Sequence, residues 1–412
     1  MIDIIKSVEK NILEIDSVKI ASDLVKIPSF SFMENQEEQV AGYLLQLFKN
    51  YGIECWLQEI SQGRPNIVAV LRGSKDTYSE GVKKEYVEMS GIGSLMLMGH
   101  TDTVPAYDME NAFLGRIKEN KLYGRGACDM KGPLAAMVAA IIGIKKSGVR
   151  LQNDLYFCGV VGEEESGCGA EYLVANGPAT DGVIVGEPTN LAIARGQKGL
   201  EWIEVKVTGK KVHGGSADIG VNAIKMASRF VNRVYEDYTP ILKSRNHRIL
   251  GNPSINIGTI GGGDQPSTVA GSCTISLDRR CIPEETREQV YDELESIIKT
   301  LSLEDPDFKG ELRDMLEGQY TLYHRPFFTD DEDPLIKTAQ KYMGKKGQEL
   351  TIFPAWTDAG TLANYTNSKC IIIGPGDLSV AHSPDEFIEI ADIKKASDIY
   401  GKIALEYCGV SY

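Results

Sequence analysis

The chain has only five histidines, and three of them keep unusual company. His100 opens Gly99-His100-Thr101-Asp102-Thr103-Val104-Pro105, directly behind the apolar run Ser94 to Met98. Residues two apart on an extended segment share a side. His100 and Asp102 can therefore act together, one binding a metal and the other orienting that ligand. The same spacing also serves a capping aspartate beside a surface histidine. Asp129 lies in Gly124-Arg125-Gly126-Ala127-Cys128-Asp129-Met130-Lys131-Gly132, where the glycines allow a tight turn just before a helix. Taken alone, Asp129 is an ordinary helix cap. Neither GxxxxGK[ST] nor GxGxxG occurs, which argues against a phosphate cradle. Glu163, Glu164 and Glu165 follow the apolar run Leu155 to Val161. Adjacent carboxylates repel one another unless a cation or protons neutralise them; the alternative is a solvated acidic turn. Glu187 follows the run Gly182 to Val185, and His382 follows Lys369 to Ile373. Two imidazoles with three or four carboxylates suit a pair of borderline divalent ions such as zinc. One carboxylate can bridge both ions while another stays free as a base.

These residues need a scaffold that brings strand ends together. The first half alternates helix and strand patterns. Residues 36–50 have helical spacing, Asn66 to Leu71 is β-rich, and Pro133 to Ser147 reads as a helix with proline in its first turn and Gly148 as its stop. Short, fully apolar strands separated by helices predict an α/β fold: a mostly parallel sheet flanked by helices, with ligand crevices at the strand C-termini. After Asn190 the pattern changes. Glu201 to Thr208 alternates, Val221 to Tyr235 is helical, Ser254 to Ile260 and Ser272 to Leu277 alternate, and Glu284 to Leu301 is helical. This predicts an inserted α+β domain over 195–309, between catalytic parts 1–194 and 310–412. Residues 72–93 read as an exposed insertion or hairpin.

Composition narrows the partners. The 412 residues carry a formal net charge of −14, which disfavours nucleic acid and anionic membranes. The N-terminal segment has the charge alternation of an amphipathic helix rather than a signal peptide. The apolar run Pro133 to Ile144 is too short to cross a bilayer. Eight cysteines without a CxxC pair read as buried, reduced thiols of a cytoplasmic protein. His247 and His324 fit no motif and are expected at the surface or an interface.

In order along the chain, GHTDTVP, GRGACDMKG, GEEESGCGA, VGEPT, HGGSADIGVNAI, DRRCIP and AHSPDE resemble the co-catalytic dizinc amidohydrolase and peptidase family. That family includes acetylornithine deacetylase, succinyl-diaminopimelate desuccinylase, aminoacylase and glutamate carboxypeptidase. The resemblance implies a zinc-peptidase-like catalytic domain with an inserted lid and dimerisation domain. It implies two zinc ions per subunit, with Co2+ or Mn2+ as possible substitutes. His100 and Glu187 would bind one ion, Glu164 and His382 the other, and Asp129 both. Asp102 would steady His100, and Glu163 would be the general acid/base. Gly167 and Gly169 select Glu163 and Glu164 as the glutamate pair, leaving Glu165 outside; a slip of one residue would make the pair Glu164 and Glu165. The family usually has Asp where this chain has Gly162.

In the insert, the resemblance makes His213 a donor to the substrate carbonyl, often from the partner subunit of a dimer. It makes Arg280 a partner for a substrate carboxylate, with Asn256 beside it. Alternatively, His213 is a turn residue bonded to backbone, and Arg280 pairs with Asp278 or Glu284. Asp358 resembles a pocket-side residue or is a helix cap. The implied activity is hydrolysis of the amide bond of a small N-acyl amino acid by a likewise implied homodimer. A dipeptidase or aminopeptidase, or an inactive metal-binding protein, are the competing readings.

Overall fold

The computed structural model describes residues 2–30, 33–74, 87–89, 91–318 and 321–411. They form two compact units. The first comprises Met1–Gly196, Phe328–Phe353 and Thr357–Tyr412, and the second Gln197–Phe327 with Pro354–Trp356.

The first unit is built on a sheet whose order is Glu54–Ser61, Arg64–Leu71, Leu155–Val160, Leu95–His100, Gly182–Val185, Lys369–Ile372 and Ile193–Gln197. The four strands from Leu155–Val160 to Lys369–Ile372 run parallel, and antiparallel strands flank them. Leu95–His100, Leu155–Val160 and Gly182–Val185 are buried at every position, as strands covered on both faces must be. The strand reaches His100 itself, two residues beyond the apolar run that announces it.

Helix Gly132–Ser147 is buried from Gly132 to Ile144, which explains why it is apolar all round. With the preceding turn it forms a 21-residue stretch, Ala127–Ser147, whose most apolar 18 residues have a mean hydropathy of 1.5. That is longer than the run read from sequence; it is buried as far as Ile144, while Lys145 and Lys146 are exposed. Ile2–Leu13 and Ile390–Cys408 pack on it. Of the 72–93 segment, residues 75–86 and 90 lie outside the described residues. Val87–Met89 pairs with Val410–Ser411, which also pairs with Arg150–Leu151.

The second unit is a four-stranded antiparallel sheet ordered Ser254–Gly262, Ser272–Cys281, Gly199–Thr208, Lys309–Asp314. Ile203, Val205, Val207, Ile275 and Leu277 pack against helices Ala223–Arg233 and Arg287–Glu304. This unit runs to Phe327 rather than to the expected 309. The reason is that Lys309–Asp314 is its edge strand, paired from Thr208↔Lys309 to Ile203↔Asp314.

All eight cysteines are free, six of them buried. His247 and His324 are also buried, each 6% exposed, contrary to the surface expectation. The His247 ring accepts the Leu250 N–H at 3.0 Å, and His324 stacks on Trp356 with ring centres 4.5 Å apart. Burial pushes the His324 imidazole down to about 4.

Gly143 and Gly401 both face Ile12 of the first helix. A Cβ on Gly143 would fall against Ile12 Cγ1 and lie 2.7 Å from its Cα. Gly143→Val is therefore expected to lower unfolding stability by about 1–3 kcal/mol through overpacking, measured by denaturant titration.

Candidate metal centre

Strand register places the chemistry. His100 pairs with Val160, Met98 with Val185, and Val185 with Ile372, so the C-termini of four parallel strands finish close to level. The chain leaving each end carries a candidate ligand. After Val160 the backbone turns at Gly162, whose φ of +73° favours glycine. Ser166 and Gly167 donate to the Gly162 carbonyl at 2.8 and 2.6 Å, closing the loop that holds Glu163 and Glu164. Glu187 lies two residues beyond Val185. Asp129 lies in the Ala127–Lys131 turn that leads into the buried helix.

Asp129 is the centre of the arrangement. Its Oδ1 is 3.0 Å from His100 Nε2, and its Oδ2 is 3.3 Å from His382 Nε2. His382 Nε2 is also 2.9 Å from Glu164 Oε1. On the other side, His100 Nε2 lies 3.8 Å from Glu187 Oε1, an oxygen that is buried without a hydrogen-bond partner among the described residues. His100, Asp129 and Glu164 bring ligand atoms within 4.8 Å of one another, and so do His100, Glu163 and Glu187. Five predicted ligands and Glu163 thus converge.

Asp102 joins the two halves. Its main-chain carbonyl accepts from His100 Nδ1 at 3.0 Å, which leaves Nε2 to face Asp129. Its carboxylate accepts the Glu163 N–H at 3.2 Å and the Glu164 N–H at 3.0 Å. The Asp102 carboxylate itself stays farther from His100, with Oδ1 3.6 Å from Nδ1. Asp102 therefore grips His100 through backbone and the glutamate pair through its side chain.

The electrostatics are those of an overcrowded anionic cluster. Burial, then the charge of Glu187, holds the Glu163 carboxyl well above the usual range. Burial, then Asp129, does the same to Glu187. Burial would raise Asp129 too, but the two imidazoles hold it well below the usual range. Asp129 and Glu164 push the His382 imidazole up to about 10. Divalent cations would relieve this crowding, because nitrogen and carboxylate donors suit them and their charge replaces the protons. The orphaned Glu187 oxygen and the divided Asp129 carboxylate fit such a group.

Glu165 turns away from the centre. Its carboxylate meets Arg64 at 3.2 Å, and Arg64 also grips the buried Glu37 at 2.6 and 2.9 Å. Asp358 is not the cap of helix Asp358–Tyr365; Thr357 caps it, accepting the Ala359 N–H at 3.2 Å. Asp358 is buried, its Oδ2 has no hydrogen-bond partner among the described residues, and burial raises its carboxyl to about 8. Sequence reasoning assigned no role to Arg125, Glu386, Arg64 or Glu37. Arg125 and Glu386 sit inside GRGACDMKG and AHSPDE, whereas Arg64 and Glu37 lie in none of the motifs.

The remaining candidates belong to the second unit. His213 is exposed and precedes the short turn Gly214–Ile219. Its Nδ1 accepts the Gly215 N–H at 3.1 Å, so the ring hydrogen sits on Nε2. Arg280 is engaged in its own strand, with Nε and one terminal nitrogen 2.7 and 2.9 Å from the Asp278 oxygens. Asn256 pairs in register with Asp278, as does Trp202 on the opposite strand.

A family model described as peptidase family M20/M25/M40 matches residues 96–406. The chain belongs to this family. It is a metallohydrolase acting on amide bonds. Among relatives of the M20/M25/M40 chain, an acetylornithine deacetylase of Proteus mirabilis is 29% identical, over 95% of this chain and 96% of its own. A probable succinyl-diaminopimelate desuccinylase of Staphylococcus epidermidis is 28% identical, over 96% and 98%. A tripeptidase of Staphylococcus aureus shares the fold, with TM-score 0.75 and 22% identity over 97% of this chain and 98% of its own.

The different surroundings of Glu164 and Glu165 give a direct test of the motif register. Glu164→Ala is expected to lower the metal content of the purified M20/M25/M40 protein, and Glu165→Ala to leave it unchanged, by elemental analysis.

Proposed function

We propose that this chain is a dizinc deacylase that cleaves the amide bond of small N-acyl amino acids of the acetylornithine or succinyl-diaminopimelate type. The observation that carries this reading is Asp129, whose two oxygens face two different imidazoles at 3.0 and 3.3 Å. The names of the relatives from Proteus and Staphylococcus support the substrate class.

His100 and Glu187 would hold one zinc, Glu164 and His382 the other, and Asp129 both, with Co2+ or Mn2+ as substitutes. When bound, the ions supply Lewis-acid polarisation of the substrate carbonyl and activation of water at neutral pH. Glu163 is the carboxylate left over from the ligand set. It takes the proton of the attacking water and returns it to the leaving amine. Asp102 fixes Glu163 and Glu164 by holding both main-chain N–H groups. His213 offers its Nε2 hydrogen to the oxyanion that develops on the carbonyl. Arg280 and Asn256 recognise the substrate carboxylate, a task suited to a forked guanidinium. The second unit acts as lid and as the contact of a homodimer. Eight unpaired cysteines suit a reducing compartment, the cytoplasm.

The test is metal analysis of the purified protein, followed by hydrolysis of N-acetylornithine, N-succinyl-diaminopimelate and free-amine dipeptides, with and without chelator. The expected result is two zinc ions per chain and chelator-sensitive turnover of the acylated substrates. Preference for free-amine peptides would reassign the enzyme as a peptidase. Inactivity of the zinc-loaded protein over the whole panel would make it a binding protein. Glu163→Gln is expected to keep both ions and lose roughly 10²–10⁴-fold in kcat, the usual contribution of a general base. His213→Ala should retain zinc and show reduced kcat in the same assay.

A further inference from the structure

Arg125 and Glu386 stand 261 positions apart in the chain and form an ion pair 2.5 Å long. Both are fully buried, at 1% and 0% exposure. Burying two charges is expensive, and apolar replacements of similar volume are often neutral or stabilising. Fold stability is therefore a poor reason for this pair.

Its other bonds suggest a better one, because each ends on the main chain of a segment that carries a candidate ligand. Arg125 Nε donates to the Pro105 carbonyl at 3.0 Å, and its NH2 donates to the Ala106 carbonyl at 3.3 Å. These residues follow His100 and Asp102. The same NH2 donates to the carbonyl of His382 itself at 3.3 Å. His382 has a φ of +60°, a left-handed conformation uncommon for a residue with a side chain. Glu386 Oε1 accepts the N–H groups of Cys128 at 2.9 Å and of Asp129 at 3.1 Å. Three stretches of chain far apart in sequence are thus tied to one guanidinium and one carboxylate.

We propose that Arg125 and Glu386 are positioning residues of the metal centre: the pair sets the spacing of the His100, Asp129 and His382 segments and thereby sets divalent-metal affinity. This rests on the metal-centre reading above. The pair touches neither substrate nor metal. It acts through the backbones of the ligands.

Zinc titration calorimetry on chelator-treated protein tests the proposal, with thermal unfolding of the same metal-free samples. The variants are Arg125→Lys, Glu386→Gln and the double Arg125→Met/Glu386→Leu. The double variant is expected to remain folded without metal while zinc affinity falls tenfold or more. Arg125→Lys keeps the charge but loses the fork that reaches Pro105, Ala106 and His382, and is expected to show a fall of the same order. Glu386→Gln keeps an oxygen for the Cys128 and Asp129 N–H groups and is expected to lose the least. Zinc affinity within twofold of wild type in folded Arg125→Lys or double variant would overturn the proposal. So would an affinity loss that merely tracks a falling metal-free Tm. If the double variant does not fold, Arg125→Lys decides by the same criteria. Failure of the wild-type protein to bind two zinc ions would instead remove the metal-centre reading, whatever the variants do.

Discussion

The structure turns on one carboxylate shared between two imidazoles. Asp129 can face His100 with one oxygen and His382 with the other only if its turn, the end of the Leu95–His100 strand and the loop after Lys369–Ile372 all reach the same place. The parallel sheet makes that possible, since level strand ends release successive loops on one side. The apolar runs that build the strands and the polar residues that follow them are two parts of one requirement. A buried sheet must end somewhere, and here its ends are charged.

The surrounding carboxylates would be a liability in a purely structural site. Glu163, Glu187 and Asp358 all have their carboxyls raised by burial. The charge of the His100 imidazole offsets this in part for all three. Elsewhere in the first unit, buried acids are met by arginine: Glu37 by Arg64 and Glu386 by Arg125. The contrast separates acids that already have a cationic side chain as partner from acids that a divalent cation would suit.

The convergence of His100, Asp129, Glu163, Glu164, Glu187 and His382 was legible in the sequence because each follows an apolar run or a glycine turn, both strong local signals. Gly167 and Gly169 pointed to Glu163 and Glu164 as the inward pair, and Glu165 lies against Arg64. Long-range pairing was not legible. Nothing near Arg125 announces Glu386, and nothing near Glu165 announces Arg64. The end of the inserted unit was missed because Lys309–Asp314 has no apolar run, only a short edge-strand alternation of exposed and half-buried residues. His247 and His324 were expected at the surface or an interface because an isolated histidine without a motif carries no burial signal. Stacking on Trp356 and capping of a local turn place them inside.

The two imidazoles differ sharply in access. The His100 side chain is 1% exposed and sealed behind the strand end, whereas that of His382 is 46% exposed. Ions held by such a pair would not exchange alike. The outer one would come and go with the surrounding medium while the inner one stayed, so loading and stripping would pass through a half-filled protein.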